Sequence, residues 1–258
     1  MKRFQRKILE THLNLYYTLF SGQCFGWDRE SGEEGWFSGF FRWEGTTCRA
    51  RMKRHGELIL CETDAGERWF QTYFNLGVDI NEVYASFPDD PKLAEAIERF
   101  RGMRVLCQDP WETLVSFTIS QNNNIKRIRL VLRRMVEAFG RFPEPEDMLS
   151  EKLLLRLGLG YRARYLVGIS EKVISGEFDP KEPIDSETED GLARLLCLPG
   201  VGKKVAHCTL LYGYGVNNAF PVDRWIRKAG EPGLDYGPYA GWAQLYLYVL
   251  ARDMGGEM

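Results

Sequence analysis

The first third of the chain alternates hydrophobic and polar positions, which is the pattern of strands that expose one face. The alternating segments are short, rich in aromatic and β-branched residues, and span Gly35–Trp43, Thr47–Lys53 and Glu57–Thr63. Glycine-containing pairs that mark turns separate or follow these segments. The pattern predicts an antiparallel sheet within an N-terminal domain of residues 1–80.

From Asn81 onward the apolar residues recur at the helical period of about 3.6 residues. The sequence predicts helices over Pro91–Phe100, Trp111–Gln121, Ile125–Phe139, Glu146–Leu155, Arg162–Ser175, Thr188–Cys197, Lys203–Tyr212, Arg224–Ala229 and Tyr239–Arg252. Prolines punctuate several of the connections between them. The chain is therefore predicted to be an α+β protein, in which the sheet domain is followed by a helical region of residues 81–258.

Composition and charge narrow the class of protein. Of the 258 residues, 44% are hydrophobic and 27% are charged, and 34 basic against 36 acidic residues give a formal net charge of −2. These values exclude a disordered, collagen-like or disulfide-dense chain. No apolar run has the ~20 residues of a membrane span, and no secretory signal is predicted. A balanced charge argues against nonspecific coating of nucleic acid but allows binding at a few chosen points.

The six cysteines are scattered, with no pair two residues apart. This spacing favours free thiols in a reducing compartment, and hence an intracellular protein, over disulfides or an iron–sulfur cluster. The histidines, His12, His55 and His207, show no ligand spacing either. We therefore expect no metal and no cofactor.

The most informative segment is Leu195–Leu211, which contains Leu-Pro-Gly-Val-Gly-Lys-Lys-Val-Ala between two predicted helices. Gly200 and Gly202 leave the backbone open to close approach, and free N–H groups at the start of the second helix form an anion site. A DNA phosphate fits such a site, and a structural corner with glycine caps is the alternative. The full string resembles the helix–hairpin–helix of DNA-binding and repair proteins, here over residues 188–212.

Two residues near this hairpin carry candidate chemistry. Lys204 lies in the first turn of the second helix, where the positive helix end and burial both favour the neutral, nucleophilic amine. Asp223, in Pro-Val-Asp-Arg-Trp, is a good N-cap, and a fixed carboxylate can also stabilise charge on a sugar or relay a proton. A solvated lysine and a purely structural cap are the alternatives. Together the pair suits a base-excision enzyme that attacks the sugar, releases the base and cleaves the strand through a Schiff base.

With these motifs the chain resembles the helix–hairpin–helix superfamily of DNA glycosylases, and specifically its 8-oxoguanine DNA glycosylase branch. The stretches that carry the resemblance follow the family's order over nearly the whole chain and are Ser21–Trp27, Gln108–Glu112, Ser116–Ile125, Gly158–Tyr165 and Gly237–Gln244. The resemblance implies two mostly helical lobes behind the N-terminal sheet domain, with the hairpin at the cleft between the lobes.

The resemblance also implies an activity. It points to a bifunctional glycosylase and AP lyase that flips 8-oxoguanine, preferably opposite cytosine, out of double-stranded DNA, with Lys204 and Asp223 as catalytic residues. The protein would be a monomer that needs no small-molecule cofactor and no membrane. A glycosylase of another base specificity and a noncatalytic helix–hairpin–helix DNA-binding protein are the alternatives.

The resemblance assigns four residues to the extruded base. The Gly22 carbonyl would accept a hydrogen bond from N7 of 8-oxoguanine, where guanine itself has an acceptor. Cys208 and Tyr248 would cover the two faces of the base, and Gln244 would bind its Watson–Crick edge. From the residues alone, a glycine turn and core packing remain the alternatives. Tyr248 departs from the family's usual phenylalanine by its hydroxyl.

Further residues are assigned by the resemblance to the DNA around the base. Asn122 would fill the space that the base leaves, although three successive asparagines also suit helix caps. Arg127 and Arg162 would read the orphaned cytosine, and Tyr161 would wedge beside it. Trp225 stands where eukaryotic relatives carry a histidine that contacts phosphate, which puts that contact in doubt.

Overall fold

The computed structural model describes residues 1–31, 35–184, 189–229 and 234–255. Its strands, in chain order, are β1 (Lys2–Lys7), β2 (Trp27–Arg29), β3 (Phe37–Trp43), β4 (Thr46–His55) and β5 (Leu58–Thr63). They form an antiparallel sheet with the order β1-β5-β4-β3-β2. The predicted antiparallel sheet and α+β class are confirmed, although the sequence pattern missed β1 and β2.

Helices fill the rest of the chain. They are α1 (Leu15–Phe20), α2 (Glu67–Tyr73), α3 (Ile80–Ala85), α4 (Pro91–Arg99), α5 (Pro110–Ser120), α6 (Ile125–Phe139), α7 (Glu151–Leu157), α8 (Arg162–Ile174), α9 (Glu189–Leu196), α10 (Lys203–Gly213), α11 (Arg224–Ala229) and α12 (Ala240–Met254). No helix in these ranges is long and apolar enough to cross a membrane. The first residue of the predicted helix Thr188–Cys197, and so of the predicted hairpin 188–212, lies outside the described residues.

One predicted helix, Glu146–Leu155, is wrong as a single element. A 3₁₀ turn over Pro145–Met148 ends first, and α7 begins after Ser150. The Ser150 hydroxyl accepts a hydrogen bond from the backbone N–H of Leu153 at 3.3 Å, which caps the new helix. Because serine is a favoured N-cap, a new helix begins after Ser150, and the periodic stretch forms two elements.

Aromatic rings form the core between the sheet and α2. The rings of Phe41 and Trp69 stack with their centroids 4.0 Å apart, and the Trp27 indole N–H donates to the Tyr73 hydroxyl at 2.9 Å. Helix α2 is only seven residues long, which is too short for a helical period of hydrophobic residues to be recognised in the sequence. Its stability comes from this ring packing, since isolated short helices are marginal in water.

A buried arginine joins the sheet to the helical region. The backbone N–H of Arg42 on β3 donates to the Glu112 carboxylate on α5 at 2.6 Å. The Arg42 guanidinium pairs with Asp109 at 3.2 Å and with Glu144. Helix α5 is buried along nearly its whole length, and α10 packs against it. The second hairpin helix is thus held against the molecule's central helix.

Candidate active site

A tight turn connects α9 to α10 at the predicted hairpin. Gly200 has a φ of +72°, and a Cβ at that position would lie 2.3 Å from the Tyr165 ring, so glycine is required on both counts. Gly202 is exposed, with no atom within 4 Å of an added Cβ. No side chain caps α10, which leaves its first N–H groups directed outward at Gly202. This end of α10 has the geometry of an anion site.

Lys204 extends from α10 toward α5. Its amine donates a hydrogen bond to the Ser120 hydroxyl at 3.2 Å and lies 4.6 Å from the centroid of the Phe117 ring. One helical turn later, the Cys208 thiol is buried beside Lys204, as the four-residue spacing predicts. Burial raises the pKa of this thiol to about 11, against the lowering effect of the Lys204 charge. The amine is therefore fixed in place beside a neutral thiol.

Asp223 caps α11, as predicted. Its carboxylate oxygen Oδ1 accepts hydrogen bonds from the backbone N–H groups of Trp225 at 2.9 Å and Ile226 at 3.0 Å. The Asp223 charge also contributes to raising the pKa of both Cys208 and Tyr248. The Asp223 carboxylate therefore lies close enough to act electrostatically on Tyr248 and on Cys208, the thiol beside Lys204.

Two of the residues assigned to the base, Gly22 and Tyr248, are adjacent, and Gln244 lies on the same face of α12 as Tyr248. Gly22 has a φ of +97°, and a Cβ there would lie 3.2 Å from the Tyr248 hydroxyl. Burial raises the pKa of Tyr248 to about 12, so the phenol stays protonated. Gln244, one turn earlier on α12, is 4% exposed, and its buried Oε1 accepts no hydrogen bond from the described residues. A buried amide oxygen of this kind is suited to a polar ligand edge.

The Gly22 turn is anchored by the residue that follows it. The Gln23 side chain is buried and donates to the carbonyl oxygens of Thr18 at 3.0 Å and Arg104 at 2.8 Å. Its own Oε1 accepts the backbone N–H of Leu106 at 2.8 Å. Gln23 thus belongs to the scaffold, and it fixes one side of the Gly22 peptide.

The residues assigned to the orphaned cytosine lie around the loop between α5 and α6. Asn122 is exposed at a φ of +46°, and its amide donates to the Tyr161 hydroxyl at 3.2 Å. Arg162 is 6% exposed, and its guanidinium donates to the carbonyl oxygens of Gln121 at 2.8 Å and Asn122 at 3.0 Å. Arg127 is exposed on α6. Arg162 therefore supports the loop that presents Asn122. The sequence did not predict this structural role of Arg162.

Three further residues of the site were missed by sequence reasoning. Ser120 and Phe117 contact the Lys204 amine, and both lie in the matched stretch Ser116–Ile125. Arg252 contacts the Gly22 turn, and its four-residue spacing after Tyr248 was the available signal. No group of three metal-ligating side chains capable of holding an ion occurs among the residues that the structure describes.

Trp225 and His207 both lie near basic side chains. The Arg224 guanidinium is 5.1 Å and the Lys228 amine 5.2 Å from the centroid of the Trp225 ring. His207 is half-buried on α10, and burial followed by the Lys203 charge lowers its pKa.

Family models match the chain in two consecutive parts. The 8-oxoguanine DNA glycosylase N-terminal domain matches residues 7–114, and the HhH-GPD superfamily base excision DNA repair protein matches residues 115–230. A probable N-glycosylase/DNA lyase of Methanothermobacter thermautotrophicus is 32% identical over 70% of this chain and 73% of its own length. The chain belongs to the 8-oxoguanine DNA glycosylase family. The family and the predicted enzyme class, a DNA glycosylase and AP lyase, are thereby confirmed.

Solved structures of this glycosylase family share the whole fold. MBOgg1 in complex with a low-affinity DNA ligand is 30% identical, with a TM-score of 0.84, over 99% of this chain and 100% of its own. The Clostridium acetobutylicum 8-oxoguanine glycosylase/lyase, in complex with double-stranded DNA containing cytosine opposite 8-oxoguanine, is 26% identical. Its TM-score is 0.83 over 99% of each chain. The sheet and helices therefore have the arrangement of a DNA-binding glycosylase.

Proposed function

We propose that this glycosylase excises 8-oxoguanine opposite cytosine from duplex DNA and then cleaves the strand at the abasic site. The observation that carries the proposal is the packing of Lys204 against Ser120 and Cys208, with the Asp223 charge acting on both Cys208 and Tyr248, and with Tyr248 beside Gly22. The substrate is supported by the Clostridium acetobutylicum relative, whose DNA contains cytosine opposite 8-oxoguanine. Because the glycosidic bond of a stacked base is inaccessible, the nucleotide must first be flipped out of the duplex.

Lys204 is the proposed nucleophile. Its amine attacks C1′ of the flipped nucleotide, the C1′–N9 bond breaks, and the base leaves with the bonding electrons and is protonated. Loss of a proton from the nitrogen and opening of the sugar ring give a Schiff base. Removal of a C2′ proton then expels the 3′ phosphate by β-elimination, and water hydrolyses the Schiff base. Asp223 stabilises the positive charge that develops on the sugar and exchanges protons with the amine.

The proposed base pocket distinguishes 8-oxoguanine from guanine by one hydrogen bond. 8-Oxoguanine carries a proton on N7, which the Gly22 carbonyl accepts, whereas the N7 of guanine is itself an acceptor. Guanine would leave the Gly22 carbonyl without a hydrogen-bond partner, and a polar group left unpaired in a buried pocket discriminates strongly between two substrates. Gln244 pairs with the Watson–Crick edge through its buried amide, and Cys208 and Tyr248 cover the two faces.

The DNA around the lesion is proposed to contact two parts of the protein, the loop around Asn122 and the hairpin. Asn122, held against Tyr161, fills the gap in the duplex, and Arg127 and Arg162 read the orphaned cytosine. The N–H groups at the hairpin, around Gly200 and Gly202, bind a backbone phosphate without a side-chain charge.

Borohydride trapping tests the reaction and its nucleophile. We expect a covalent adduct between the protein and a duplex with 8-oxoguanine opposite cytosine, and none with Lys204→Gln. Lys203→Gln is the matched control, because that neighbouring lysine is exposed, whereas the hydrogen bond to Ser120 is made by Lys204. An undiminished adduct with Lys204→Gln would show that another group is the nucleophile.

Substrate preference is tested with the same duplex carrying other lesions. We expect faster single-turnover excision of 8-oxoguanine opposite cytosine than of 8-oxoguanine opposite adenine, 3-methyladenine or a mismatched thymine. Faster release of 3-methyladenine or thymine would assign a different substrate. Binding to DNA with no release of any base would instead support a noncatalytic helix–hairpin–helix protein.

A further inference from the structure

Arg252 lies where the last turn of α12 meets the Ser21–Gly22 turn. Arg252 is 5% exposed, and its guanidinium Nη1 donates to the carbonyl oxygen of Ser21 at 2.9 Å. The same nitrogen is 3.2 Å from the position that a Cβ of Gly22 would take. The guanidinium carbon lies 5.3 Å from the centroid of the Tyr248 ring. One buried cation therefore contacts both of the elements that form the proposed base pocket.

The contact of Arg252 with Tyr248 follows from the spacing of the two residues on α12. Gln244, Tyr248 and Arg252 are spaced by four residues, so their side chains lie along one face of the helix. Removing a guanidinium from water is costly unless it is hydrogen-bonded, so its orientation toward the Ser21 carbonyl is strongly constrained. The same side chain restricts the Tyr248 hydroxyl, which a phenylalanine at this position would lack.

The Gly22 turn needs support on both of its sides. A glycine at a φ of +97° has no Cβ to restrict its backbone, so neighbouring groups must set the direction of its carbonyl. The Gln23 side chain anchors the peptide that follows Gly22. Arg252 holds the Ser21 carbonyl, which belongs to the peptide that precedes it. The two side chains together confine the segment whose carbonyl is assigned to N7 of the base.

We propose that Arg252 is a positioning residue, which fixes the Gly22 turn against Tyr248 and thereby sets the preference for 8-oxoguanine. The proposal rests on the proposed function, since it concerns recognition of the same base. Its consequence differs from that of a general loss of stability. A displaced Gly22 carbonyl impairs release of 8-oxoguanine more than cleavage of a preformed abasic site, because an abasic site has no base to recognise.

The test compares two single-turnover rates in the full chain, each on a duplex with cytosine opposite the site. One rate is excision of 8-oxoguanine, and the other is cleavage of a preformed abasic site. We expect Arg252→Met to lower the first rate at least tenfold more than the second. Asp253→Asn is the matched control, because Asp253 adjoins Arg252 on α12 but pairs with Arg99. The control is expected to keep the wild-type ratio of the two rates.

A conservative variant and a partner variant complete the test. Arg252→Lys keeps the charge and is expected to restore part of the ratio, and Tyr248→Phe is expected to weaken the effect of Arg252→Met. Should Arg252→Met fail to fold, Arg252→Lys replaces it, with an expected relative loss of at least threefold. An equal loss of both rates, or no loss, overturns the proposal. A wild-type protein that cleaves abasic sites without releasing 8-oxoguanine would instead refute the proposed function, and with it the proposed role of Arg252.

Discussion

Ser120 accepts a hydrogen bond from Lys204 across the packing of α5 against α10, at 3.2 Å between Oγ and Nζ. The Ser120 hydroxyl also donates its proton to the carbonyl oxygen of Phe117 at 2.7 Å. Because that proton is already engaged, a lone pair of Oγ is directed at the amine. The serine thus holds the proposed nucleophile in position, and because Oγ accepts from the amine rather than donating to it, it leaves the lone pair of the amine free.

Replacing Ser120 by alanine is expected to slow formation of the Schiff base. A hydrogen bond of this type contributes roughly 1 kcal/mol, so we expect a rate about three- to tenfold lower in borohydride trapping. Thr118→Val is the matched control, because the buried Thr118 hydroxyl on the same helix has no hydrogen-bond partner among the described residues. Trapping by Ser120→Ala at the wild-type rate would remove the serine from the mechanism.

The capping role of Asp223 and its proposed catalytic role are separable by substitution. Asparagine caps a helix about as well as aspartate, so Asp223→Asn should preserve the free energy of unfolding. Asp223→Ala should lower it by about 1 kcal/mol, because two backbone N–H groups lose their acceptor. Both variants should excise the base about 100-fold more slowly, because both lack the negative charge of the Asp223 carboxylate. Urea unfolding and single-turnover excision measure the two effects, and an active Asp223→Asn would contradict the electrostatic part.

The hairpin turn is expected to reject even a methyl group at Gly200. Gly176 is the matched control, since its φ of +78° is similar to the +72° of Gly200 but its added Cβ would meet nothing within 4 Å. Gly176→Ala should therefore cost only the roughly 1–2 kcal/mol of the left-handed backbone. Gly200→Ala should cost about 1–3 kcal/mol more, through the clash with Tyr165, and weaken DNA binding. Equal losses of stability in the two variants would refute the clash.

Protonation of Glu112 makes stability depend on pH. Burial raises the pKa of this carboxyl to about 8, against the lowering effect of the Arg42 backbone N–H, and the Asp109 charge raises it further. The folded protein therefore holds a proton that the unfolded chain releases at a lower pH. This contribution to stability is complete below about pH 4.5 and is lost as the pH rises toward about 8.

Glu112→Gln should remove that part of the pH dependence. We expect its free energy of unfolding in urea to fall less than that of the wild type between about pH 5 and pH 8. The glutamine oxygen can still accept a hydrogen bond from the Arg42 N–H. The difference between the two pH dependences therefore measures the effect of the Glu112 proton. Glu137→Gln, at an exposed position of α6, is the control and should follow the wild type. Parallel curves for Glu112→Gln and the wild type would contradict the assignment.

The elements that could be predicted are those whose signals are local. The bounds of α6 follow from Asn124, which caps its first turn, and from Gly140 in the left-handed region at its end. Strand β1 carries no comparable signal, because its pairing with β5 depends on residues more than fifty positions away. Short helices such as α2 depend on aromatic packing rather than on their own periodicity.

The contacts of the candidate site also fall into two groups, those that local sequence predicts and those that it does not. The contact of Lys204 with Cys208 follows from their spacing on one helix, and the cap by Asp223 follows from its place before α11. The contacts of Ser120 and Arg252 join distant parts of the chain, because the bonded partners are 84 and 231 positions apart. No pattern within one segment can predict such contacts, since they arise only when the helices pack.

The order of the strands also fixes an order of assembly. Strands β3, β4 and β5 follow one another through tight turns, so they can pair as soon as each is synthesised. Strand β1 emerges first but lies beside β5, and it must wait until Thr63 has been added before its register is complete. Closing that long loop costs more entropy than forming either hairpin. Strand β1 can therefore pair within this sheet only after β5 has been made, and until then its backbone N–H and C=O groups have no strand partner there.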